Sequence, residues 1–161
     1  MPRESMPTLR ELEEHKKIVP EIDPASVVAM LEIRQAGEQV AEQILDVLQR
    51  DYHLSEGKFC VLIVLHQHPE GIAPSQLAAR VGVARATIST MLQRLEKSGD
   101  VVIEEDAEDR RGKRVRLTAK GRAFMAEVLP PHYLRVTKLM EKLTQEEQEE
   151  LIRLLRKLAG E

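Results

Sequence analysis

The segment that most limits the fold begins at Asp23-Pro24. This pair reads as a helix start, with Asp as the cap and Pro at the first helical position. Apolar residues then recur at Val27, Met30/Leu31, Ile33, Val40/Ala41, Ile44 and Val47/Leu48, with Gly37 in the same series. That is helical spacing over about 25 residues, some seven turns. The whole chain has 161 residues, one domain's worth. A globule of that size rarely needs a single helix so long, whereas a helix that crosses to a partner subunit does.

The rest of the chain is cut into shorter pieces. Ser55 can cap a helix over residues 56 to about 67, whose CVLIVL stretch marks it as the buried centre. Run length alone also allows a strand there, but the Ser-Glu start favours helix. Pro69 and Gly71 end it. Pro74 opens a short helix with Leu77, Ala78 and Val81 on one face, stopped by Gly82. After only Val83-Ala84 comes a second helix, with Ile88, Met91, Leu92 and Leu95 at helical spacing and Gly99 as its left-handed stop. Two extended runs, 101–103 and 114–117, flank the charged segment EEDAEDRRGK and predict a β-hairpin with a long tip. A helix then starts at Thr118. Pro130-Pro131 should interrupt and kink it before spacing resumes at Leu134, Leu139, Met140 and Leu143. Thr144 to Glu147 forms a capping box for a last helix striped by Leu151, Leu154, Leu155 and Leu158. Upstream, residues 1–23 are a polar arm with one short helix, set by a second capping box at Thr8 and Glu11.

Net charge is −3, but its distribution matters more. Residues 72–122 hold 11 Lys/Arg against 7 Asp/Glu, or +4, which leaves 13 against 20, or −7, for the other 110. A basic segment in an acidic chain points to a local anionic partner. Aromatics are only 2% of the residues, so the core must be aliphatic and a surface of stacked aromatics for single strands is excluded. No apolar run reaches the ~18 residues of a membrane span, and the N-terminus has no signal-peptide core. One cysteine, Cys60, rules out an internal disulfide and a Cys-cluster zinc site. A cytoplasmic location is the expectation.

Two short helices around Gly82-Val83-Ala84 have the pattern of a helix-turn-helix, whose second helix enters the DNA major groove. Here that helix offers Arg85, Ala86, Thr87, Ser89, Thr90, Gln93 and Arg94, and the first helix offers Ser75 and Gln76. Arg can bond guanine through two donors, and hydroxyls and small methyls suit base edges. A helical hairpin with a solvated polar face would look similar. The following hairpin separates the two readings, because Arg110, Arg111, Lys113, Arg114 and Arg116 fall within seven residues. A hairpin beside a recognition helix is a wing, and Arg at its tip can enter a narrow minor groove. Asp109 can hold the Arg111 guanidinium extended. Glu104, Glu105, Asp106 and Glu108 support the plainer reading of a solvated charged turn.

The segments PSQLAARVGVARATISTMLQRLEKSG and DAEDRRGKRVRLTAKG resemble the MarR family of winged-helix regulators. Asp109-Arg110-Arg111 with Leu117-Thr118 and Gly121 matches the family's wing signature, and the likeness extends from about residue 24 to the end. The resemblance implies a mainly α (α+β) fold: a winged helix-turn-helix with long terminal dimerisation helices and a two-stranded wing. The expected division is an arm at 1–23, a dimerisation helix at 24–53, a DNA-binding domain at 54–121 and C-terminal dimerisation helices at 122–161. It implies a homodimer on double-stranded DNA at a pseudo-palindromic operator, a repressor role, and release by a small aromatic or phenolic anion. Five positions depart from the pattern: Ala84 in place of a Ser or Thr cap, worth ~1 kcal/mol, Asp100 in place of an apolar residue, Ala107 in place of a proline, and an acidic stem at Glu104 and Glu105.

Arg34 and Gly37 on the long helix are candidates for the effector, Arg for a carboxylate or phenolate and Gly for room. An Arg paired within the protein and a Gly that permits close packing are the plainer roles. Cys60 in its apolar run reads as inert packing, with a thiol redox sensor as the alternative. His66 and His68 are two apart on a helix and so point to different sides, which argues against a metal pair. No nucleophile elbow, phosphate loop or metalloprotease helix is present. No enzyme activity and no cofactor are expected. A winged helix serving as a protein–protein module is the other function class open at this point.

Overall fold

A computed structural model describes residues 6–105 and 112–161. Its elements are α1 (Leu9–His15), α2 (Pro24–Tyr52), α3 (Glu56–His66), α4 (Pro74–Val81), α5 (Arg85–Lys97), β1 (Val101–Glu105), β2 (Lys113–Leu117), α6 (Ala119–Met140) and α7 (Gln145–Ala159). They fall into two compact units that divide after Asp46, inside α2.

In the first unit both helix starts follow from side-chain caps. The Glu11 carboxylate accepts the Thr8 N–H at 2.7 Å while the Thr8 hydroxyl accepts the Glu11 N–H at 3.3 Å. The Thr8 N–H and the Thr8 hydroxyl, which both donate to it, hold the Glu11 carboxyl below its ordinary range. The Asp23 carboxylate accepts the N–H groups of Ala25 and Ser26, each at 3.2 Å, and α2 then runs for 29 residues.

The second unit holds an aliphatic core around α3, whose Phe59, Val61, Leu62 and Leu65 are buried. The CVLIVL run is therefore a helix, apolar on every side because its neighbours enclose it. Leu77 and Ala78 of α4, Ile88, Leu92 and Leu95 of α5, and Met125, Val128 and Leu129 of α6 complete the core with Val101, Val115 and Leu117 from the strands. Strands β1 and β2 pair antiparallel from Val101↔Leu117 to Glu105↔Lys113. Ile72 adds a bridge to Val115, with backbone bonds of 3.0 and 2.9 Å. Alternation puts Val115 and Leu117 inward and leaves Arg114 and Arg116 only partly covered.

One expectation needs correction. Pro130 and Pro131 do not interrupt α6, which continues through both to Met140. Each proline removes one backbone donor, to the carbonyls of Ala126 and Glu127 four residues back. Both of those residues are exposed, so solvent can satisfy the freed carbonyls. The last helix, α7, has its Thr144–Glu147 capping box and a left-handed Gly160 stop, yet none of its residues is buried. Among the described residues, no helix is long and apolar enough to cross a membrane.

Candidate nucleic-acid interface

The α4–turn–α5 unit is built by backbone punctuation. Pro74 starts α4, and Gly82 ends it at φ +75°, a conformation in which a side chain would be strained. Ala84 then begins α5 with no side-chain cap, as its sequence requires. The apolar stripe of α5 faces the core, so Arg85, Ala86, Thr87, Ser89, Thr90, Gln93 and Arg94 all lie on the exposed side. Ser89 and Thr90 donate back to the carbonyls of Arg85 and Ala86 at 3.0 and 3.2 Å. Their oxygens can still accept from a base amino group; donating to a base requires rotation about χ1.

The wing meets this unit at a cleft of about 520 Å³ lined by Ala73, Pro74, Ser75, Arg85, Ile88, Ser89, Gly112 and Lys113. Four sequence-predicted residues, Ser75, Arg85, Ser89 and Lys113, thus converge from three elements. Gln76, also exposed, lines a neighbouring groove with Arg80 and Arg114. Asp109, Arg110 and Arg111 lie outside the described residues.

The basic run along β2 is less available than its composition implies. Arg116 donates to both oxygens of Glu104 across the hairpin, at 2.8 and 2.7 Å. Those bonds pull the Glu104 carboxyl below its ordinary range and raise Arg116. Arg114 donates to the Gly71 carbonyl at 3.3 Å. Glu104 therefore secures the wing stem, a role that counting charges along the sequence had set against DNA.

The remaining candidates divide clearly. Arg34 pairs with Glu38 one turn on, at 2.6 Å, and an added Cβ at Gly37 would meet no neighbour within 4 Å. Cys60 is half-buried, and burial together with the Glu56 charge pushes its thiol up, away from the reactive thiolate. His68 contacts the Val64 carbonyl through Nδ1 at 2.8 Å, and among the described residues no group of three His, Cys, Asp or Glu is placed to hold a metal ion. A smaller cavity, about 290 Å³, lies behind α5 among Ser55, Lys58, Met91, Arg94, Leu95 and Ser98. Sequence reading did not find it, because its two cations come from helices far apart in the chain.

Fold and site together define a winged helix-turn-helix protein. The MarR family pattern matches residues 54–112. The chain is 28% identical to the HTH-type transcriptional repressor YetL of Bacillus subtilis (strain 168) over 151 residues, covering 93% of this chain and 90% of YetL. It superposes with a TM-score of 0.78 on Sco3205, a MarR family regulator from Streptomyces coelicolor solved in complex with DNA, at 24% identity over 86% of this chain and 88% of that one. It also matches NadR in complex with 4-hydroxyphenylacetate, at TM-score 0.66 and 26% identity over 80% of this chain and 90% of NadR. Residues 54–112 thus carry the MarR family pattern, and the relatives and solved structures that the chain resembles are transcriptional regulators.

Proposed function

We propose that this chain represses transcription from a pseudo-palindromic operator, which it binds as a homodimer in the cytoplasm and leaves when a small organic anion binds. The observation that carries DNA reading is the cleft where Ser75, Arg85, Ser89 and Lys113 converge beside the exposed face of α5. In the major groove Arg85, Thr87, Thr90 and Arg94 read bases, while Ser75, Gln76 and Lys113 hold phosphates. Asp109, Arg110 and Arg111 at the wing tip reach the flanking minor groove. The Sco3205–DNA complex supports the partner, and the YetL name supports repression. Residues 54–121 form the DNA-binding part, and the helices of 24–53 and 122–161 join two copies.

The NadR complex supports an aromatic anionic effector. At Arg34 and Gly37 such an effector has to displace Glu38 from Arg34. The cavity beside α5 offers two cations, Lys58 and Arg94, over an apolar floor of Met91 and Leu95, and an anion there shares Lys58 with Asp100, 3.6 Å away. An anion held there touches the recognition helix directly and so distinguishes DNA-competent from DNA-free arrangements, as release requires.

Selection of bound duplexes from a random pool tests the reading. The expected product is a two-fold symmetric sequence with half-sites about one turn, ~10 bp, apart. Recovery of unenriched DNA would overturn it.

A further inference from the structure

The sequence carries an acidic residue, Asp100, just past the end of the recognition helix, and its position is unusual in three ways. It is buried, with only 6% of its surface exposed. It lies beyond the C-terminal end of α5, where the helix dipole disfavours an anion. Its carboxylate gathers groups from three separate segments. The Ser98 hydroxyl donates to it at 2.5 Å, Lys120 of α6 approaches at 3.4 Å, and Lys58 of α3 at 3.6 Å. Lys120 also donates to the Ser98 carbonyl, so it caps the last turn of α5 as well.

Stability alone does not explain such a group. Replacing a buried ionic cluster by well-packed apolar side chains is often neutral or stabilising. The surrounding backbone is stitched without it: the Thr118 N–H donates to the Asp100 carbonyl at 3.1 Å and the Thr118 hydroxyl to the Gly99 carbonyl at 2.7 Å. Gly121 permits this approach, since a Cβ there would lie 2.0 Å from the Asp100 carbonyl oxygen. What the carboxylate adds is direction. Lys58 pulls on it from the first turn of α3 and Lys120 from the first turn of α6, so the end of α5 is held at one angle to both helices.

We propose that Asp100 is a positioning residue for operator recognition: through Lys58 and Lys120 it fixes the orientation in which α5 presents Arg85 to Arg94. Non-specific binding, which needs only charge near phosphates, tolerates a loose helix, whereas base contacts do not. Lys58 also lines the cavity behind α5, so an anion there competes with Asp100 for the same ammonium.

The proposal rests on the DNA-binding reading, and one experiment separates the two. Duplexes selected by the full-length wild-type chain and a scrambled duplex of equal length are titrated with each variant. Asp100→Asn should lower selected-site affinity by about tenfold and leave scrambled-duplex affinity within about twofold. Lys58→Met and Lys120→Met should each cost about threefold, Lys120→Arg should restore binding, and Lys58→Met should add little once Asp100 is Asn. Equal losses on both duplexes, or a selected-site affinity unchanged in Asp100→Asn, would overturn the proposal. If Asp100→Asn does not fold, the two lysine variants decide by the same ratio. Failure of the wild type to select any site would instead overturn the DNA-binding reading.

Discussion

Helices α5 and α7 have the same design on paper and opposite fates in the fold. Each is a single amphipathic helix, of 13 and 15 residues, with leucines at helical spacing. In α5 the apolar stripe of Ile88, Leu92 and Leu95 is buried to 2% exposure or less, and the polar face looks outward. In α7 the stripe of Leu151, Leu154, Leu155 and Leu158 stays 38% to 69% exposed. A helix whose apolar face is satisfied within the chain can spend its polar face on a polyanion. One whose apolar face is bare needs another surface to cover it. Under the proposed function, α5 meets DNA and α7 meets a second copy.

The comparison can be broken at several points. The double variant Leu151→Asp, Leu155→Asp should have the largest effect. It removes no buried side chain, so the chain should fold, yet the dimer should fall to a monomer by light scattering. Operator affinity should then drop by about 100-fold, as two half-sites lose their linkage. A variant that stays dimeric would show that α7 does not hold the copies together. Arg85→Ala should cost about tenfold on the selected operator and relax preference at one base pair, read by repeating the selection. Unchanged preference would remove Arg85 from base reading.

Smaller effects sharpen the account of the wing. Lys113→Ala should reduce the dependence of log affinity on log salt by about one contact's worth, whereas Arg116→Ala should leave that slope unchanged. The difference arises because Glu104 already takes the Arg116 charge across the hairpin. A slope that changes equally in both would mean that DNA draws Arg116 away from Glu104. The smallest effect is on stability. Ala84→Ser gives α5 the cap that it lacks and should add about 1 kcal/mol to unfolding free energy in a denaturant titration. No gain would show that the free N–H groups of the first turn are already well solvated.

Much of this architecture was legible because it is written in local signals. Caps at Thr8, Asp23, Ser55 and Thr144, stops at Gly82 and Gly99, and the period of the apolar residues between them each act within a few residues. The exposed face of α5 followed from the same period. Pro130 and Pro131 were misread for a related reason. Proline is a strong local signal against helix, and here it is overruled by burial of Met125, Val128, Leu129 and His132 on the other side of α6.

The long-range pairings of charge were not legible. Arg116 with Glu104 spans 12 positions, and Asp100 with Lys58 spans 42, so no local rule connects them. Apart from the run of α6 through Pro130 and Pro131, the sequence by itself determined the elements, their ends and their faces, since backbone sterics and hydrophobic period operate within a turn or two. Only the tertiary structure decided which of the many charges face outward toward DNA and which are consumed inside the protein. Electrostatic partnership depends on distances through space, and those exist only once the helices have packed.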